Sequence, residues 1–133
     1  MNDEEWMRQF AEATLPNESF HHADHVKMGF LYLQKYPLVE ALERFCADIQ
    51  HFAQAHGKAD RYSETITWAF LLLMHERLAR TGQAQSWDEF AAGNADLLRW
   101  DKPTSKKYYR AETLGSALAK RVFLFPDNFP DKA

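Results

Sequence analysis

The sequence predicts an all-α protein: an irregular helical bundle of about five to seven helices, three of them long and central, with an extended C-terminal tail. Three observations lead there. Apolar residues recur at three-and-four spacing along most of the chain, alternating β patterns are nearly absent, and proline or glycine separates the runs. With 133 residues and a hydrophobic fraction of 46%, the chain forms one domain, residues 1–133, and buries a core without staples.

The elements follow in order. A short first helix is expected from about Asp3 to Thr14, ended by Pro16. A second runs from about Phe20 to Tyr36 and stops before Pro37. The third, Leu38 to His56, carries Leu38, Leu42, Phe45, Ile49 and Phe52 on one face, with Gly57 as its left-handed C-cap. The fourth, about Asp60 to Arg80, is apolar nearly all round between Ile66 and Met74, which marks a central helix buried from several sides. Asp60 is its expected N-cap and Gly82 its terminator. Ser86 caps a further helix holding Trp87, Phe90, Leu97 and Leu98, with a break near Gly93-Asn94. A last helix, about Ala111 to Arg121, leads into VFLFPDNFP, an apolar stretch twice broken by proline and read as extended chain over the bundle.

Composition narrows the function. The net charge of −3 provides no basic field, which argues against nucleic acid and anionic membranes as partners. Lys102, Lys106, Lys107 and Arg110 form a local basic rim, beside which Tyr108 and Tyr109 are read as aromatics covering the core. The single cysteine, Cys46, allows no internal disulfide and sits in an apolar helical run as a core thiol. MNDEEW is acidic where a signal peptide needs a basic start, and no apolar run is long enough to span a bilayer, so a reducing cytoplasm is the expected location.

The chemistry concentrates in FHHADH, residues 20–25, with three of the six histidines. At about 100° per residue, the second helix has an apolar arc of Val26, Gly29, Phe30, Tyr32, Leu33 and Tyr36. His22 falls on the middle of that arc and His25 on its flank; His21 lies near its edge, and Asp24 points to solvent. Gly29, one turn beyond His25, leaves room for another helix or a small ligand. Inward histidines need polar partners. On the fourth helix, Glu76, Arg77 and Arg80 mark the wet face, and the opposite stripe reads Glu64, Trp68, Leu71, His75 and Leu78. A down-up-down path makes the second and fourth helices parallel, which brings Glu64 rather than His75 toward the histidine pair.

Two histidines and a carboxylate with open positions suit non-haem Fe(II), and zinc accepts the same set. The expected site is therefore His22, His25 and Glu64 as ligands of a divalent metal (Fe, Zn, Ni or Mn), walled by Phe30, Tyr32 and Trp68. Such a centre would serve hydrolytic or O₂-dependent chemistry. The chain lacks HExxH, paired ExxH motifs, a nucleophile elbow, a Walker loop and a dinucleotide-binding turn. Two other readings stand beside it. One is a non-enzymatic binding or protein-interaction module whose His/Glu cluster is a hydrogen-bond network. The other is a metal-free small-molecule pocket between the second and fourth helices.

FHHADH, RYSETITWAFLLLMHERLA and YYRAETLGSALAKRVFLFPD together resemble an uncharacterised family of small bacterial all-helical proteins, over about Phe20 to Asp127. The resemblance implies the same helical fold and no particular activity. It also implies a histidine beside the glutamate of the middle motif, where this chain has Ser63, leaving Glu64 as the matching position.

Overall fold

Several helices begin where a polar side chain takes up a free backbone N–H group. The computed structural model describes residues 1–129. Helix α1 spans Asp3–Ala11, capped by the Asn2 side chain, which accepts from the Glu5 N–H at 2.8 Å. It stops earlier than Thr14 because Ala13 turns left-handed, at φ 60°, closing the helix through Thr14 N–H to the Gln9 carbonyl. A 3-10 turn, Asn17–Ser19, precedes α2 (His22–Lys35), so Phe20 lies before the helix rather than inside it. Helix α3 spans Leu38–Ala55, and Gly57 beyond it has φ +70°.

Helix α4, Glu64–Thr81, is capped by Ser63, whose hydroxyl accepts from the Ile66 N–H at 3.2 Å. Asp60, the expected cap, instead belongs to a preceding 3-10 turn, Ala59–Arg61. Gly82 ends α4 at φ 129°. Ser86 and Glu89 cap α5 (Trp87–Gly93) reciprocally, and after a break at Asn94 a 3-10 segment covers Ala95–Leu98. Three short helices follow: α6 (Ser105–Tyr108), α7 (Ala111–Leu114) and α8 (Ala117–Arg121). The single helix expected over 111–121 is thus two, because the Ser116 hydroxyl accepts from the Ala119 N–H at 3.1 Å and starts a new helix. No strand occurs among the described residues, and the fold is the expected all-α bundle with three long helices.

Helices α1, α2 and α3 pack around Phe10, which is fully buried and touches the rings of Phe20, Tyr32, Phe45 and Phe52. Helix α4 packs on α2 and α3 at one side and on α6 and α8 at the other. This cover is less complete than its apolar middle suggests: Thr65, Leu71, Met74 and Leu78 are buried, while Ile66–Phe70, Leu72 and Leu73 are half-buried. No helix among the described residues is long and apolar enough to cross a membrane.

The tail runs extended across α4 and is held by named hydrogen bonds. The Thr65 hydroxyl, 0% exposed, donates to the Val122 carbonyl at 2.7 Å and accepts from the Leu124 N–H at 3.1 Å. Of the two tyrosines expected to cover the core, Tyr108 is exposed and Tyr109 is buried; Tyr109 donates to the Leu124 carbonyl at 2.7 Å, and Phe123 stacks on Trp68 with ring centroids 5.5 Å apart. Asp127 accepts from the Arg110 N–H at 2.9 Å and from the Thr113 hydroxyl, tying the tail to α7. Thr65→Val keeps the shape and removes both bonds at Thr65. It should lower the unfolding free energy by about 2 kcal/mol, since two hydrogen bonds worth about 1 kcal/mol each are lost. Urea unfolding monitored by helical circular dichroism reads this, and a loss below a few tenths of that size would show that the hydroxyl is not what holds the tail.

Candidate functional site

FHHADH separates into two functions along the helix start. The Asp24 carboxylate does not face solvent freely; it turns back to accept from the His21 N–H at 2.9 Å, capping α2. His22 and His25 point inward, and both line a half-open cleft between α2, α3 and α4, about 360 Å³ in volume. Its remaining wall is Val26, Gly29, Phe45, Ile49, Ile66, Thr67, Phe70, Leu71 and Met74, almost entirely apolar.

The two histidines differ in environment. The Leu97 carbonyl lies 2.9 Å from His22 Nε2, which places the ring proton on that nitrogen, and the ring meets Phe70 edge-on at 5.8 Å. The Leu97 carbonyl is presented by a clamped segment. Arg77 donates to both oxygens of Asp96, at 2.7 and 2.8 Å, and to Asn94 at 3.0 Å, while the Thr104 hydroxyl donates to the Asp96 carbonyl. The Arg77 hydrogen bonds hold the Asp96 carboxyl below its ordinary range. Sequence phase had put Arg77 on the wet face; its partner lies 19 positions away, on a segment whose fold no local pattern reveals.

The His25 ring packs against Phe20 at a tilt of 37°, with ring centroids 4.4 Å apart. Burial, reinforced by the neighbouring His22 and opposed by Asp24, lowers its pKa from 6.5 to about 4, so it is neutral at physiological pH.

Helices α2 and α4 do run parallel. Gly29 packs on the middle of α4, where an added Cβ would lie 2.9 Å from Met74 Cε and 3.1 Å from Leu71 Cδ2, and Gln83 beyond the end of α4 donates to the Leu33 carbonyl. The space left by Gly29 is thus filled by α4 itself. Even so, Glu64 does not join the histidines. The face of α4 toward the cleft is Ile66, Thr67, Phe70 and Met74, about a quarter turn from Glu64 at about 100° per residue. The Glu64 carboxylate instead accepts from the Tyr62 hydroxyl. It adjoins Cys46 of α3, whose thiol is pushed up chiefly by burial and further by that carboxylate. Among the described residues, no group of three or more His, Cys, Asp or Glu side chains is placed to hold a metal ion.

The expected wall residues also belong elsewhere. Phe30 is buried against Trp87 and Phe90 of α5. Tyr32 packs on Phe10 and Phe45 and donates to Asp48 at 2.5 Å. Trp68 faces the tail through Phe123, and its buried Nε1 meets no hydrogen-bond partner among the described residues. All three residues sit in apolar stripes, and the helix-to-helix partners that separate those stripes are not legible from spacing.

A second lobe adjoins the cleft. It shares His25, Ile49, Ile66 and Thr67 and continues past Phe20 and Phe52 to Asn17, Glu18, His21, Lys58, Arg61 and Tyr62. Sequence reading missed Lys58 and Arg61 because they lie in the link between α3 and α4, which carries no motif. No family model, no curated protein and no solved structure matches this chain.

Proposed function

We propose that the protein is a small-molecule-binding module whose ligand enters the cleft between α2, α3 and α4, with His22 and His25 as its polar groups. The observation that carries this reading is the cleft's composition: an apolar wall with two histidines, in a volume of about 360 Å³. Small-molecule sites share that character, apolar lining with few polar groups, and fall in a range of about 300–1,000 Å³. The reading of His22, His25 and Glu64 as ligands of a divalent metal for hydrolytic or O₂-dependent chemistry has less support, since Glu64 is engaged with Tyr62 a quarter turn away.

Thr67 lines both lobes and is half-buried, so a bulky side chain there plugs the cleft with little strain on the core. The neutral dye Nile red should brighten and shift to shorter wavelength on binding the native protein, and Thr67→Phe should weaken that binding about tenfold or more. No response from the native protein, or an equal response from a folded Thr67→Phe variant, would remove the cleft as the binding site.

A further inference from the structure

Resting on the cleft reading above, we propose a ligand class: a single-chain amphipathic monoanion, with its apolar chain in the cleft bounded by α2, α3 and α4 and its head group beside Lys58 and Arg61. They share His25, Ile49, Ile66 and Thr67 as lining, so the two lobes adjoin at these four side chains.

The lobes differ in chemistry. The inner one, past Val26, Gly29, Phe45 and Met74, holds no charged side chain. The outer one holds Lys58, Arg61 and Glu18. Neither Lys58 nor Arg61 forms an ion pair among the described residues, nor does Glu18. Two cations and one carboxylate leave one positive charge in that lobe, which a monoanion neutralises and a dianion would overshoot. Lys58 is itself half-buried, which strengthens its attraction for an anion over that of a fully solvated lysine. At the junction, neutral His25 offers an N–H donor without a second charge.

The probes are decanoate and decanol, which share a chain and differ in the head group. Isothermal titration at neutral pH should show decanoate binding about tenfold or more tightly than decanol. Lys58→Met and Arg61→Met should each erode that preference by weakening decanoate more than decanol, and raised salt should narrow it further. Equal affinity for the two probes, or a preference that survives both substitutions, would overturn the head-group assignment. In that event the Nile red response and its loss in Thr67→Phe would still stand. If those fail too, the cleft reading itself falls.

Discussion

Replacing Phe10 with alanine is expected to lower the unfolding free energy by about 3–5 kcal/mol, the range for deleting a fully buried phenylalanine side chain. Phe10 is 0% exposed, and four aromatic rings surround it, at 5.4 Å from Phe20, 6.1 Å from Tyr32, 5.8 Å from Phe45 and 5.4 Å from Phe52. Those rings come from α2, α3 and the approach to α2, so no single side chain can move into the vacated space. Two of the neighbours also matter to the cleft: Phe45 is part of its wall, and Phe20 packs against the ring of His25. A typical domain has only about 5–15 kcal/mol of stability, so the loss takes a large share of it. Urea unfolding should show a much lower midpoint with an unchanged slope. A loss below about 1 kcal/mol would mean that α1 is not anchored through this ring.

The second large effect is a loss of stability in mild acid. His25 has its pKa lowered from 6.5 to about 4, so between those values the unfolded chain takes up a proton that the folded one refuses. Above pH 6.5 both states are neutral at this ring and its contribution to the pH dependence is nil; as pH falls toward about 4 the stability drops, and below that it levels off. The lowering corresponds to about 3 kcal/mol over the interval. Unfolding free energies measured across this range should fall for the native protein and fall much less for His25→Gln. Parallel curves for the two proteins would clear His25 of the effect.

How much of this was written in the residues varies from one feature to the next. The inward phase of His22 and His25 was legible because the arc from Val26 to Tyr36 is one-sided, and a one-sided helix declares its orientation. The close approach at Gly29 followed from the missing side chain, and the parallel course of α2 and α4 from short connections. Glu64 was misplaced for the opposite reason. Helix α4 is apolar nearly all round, so its rotation is fixed by contacts with α3 and the tail rather than by its own pattern. The wet face of α4 holds at Glu76 and Arg80, which are exposed, while Arg77 is half-buried because Asp96 reaches it from a distant segment. Ser63 and Ser116 show the same limit at smaller scale: many polar residues can cap, and the surrounding chain decides which one does.

The tail's attachment at Thr65 also sets an order of events. Thr65 and Val122 are 57 positions apart, and their bond requires α4 to be formed before the chain beyond α8 has anything to lie on. Closing a loop of that length costs entropy, and the tail's bonds are expected to form after the transition state. The loss expected for Thr65→Val should therefore appear in the unfolding rate, with the refolding rate nearly unchanged. Stopped-flow refolding slowed as much as unfolding is accelerated would place the tail in the nucleus instead. On this account residues 122–128 act as a clasp: they prolong the lifetime of a bundle that the three long helices assemble without them.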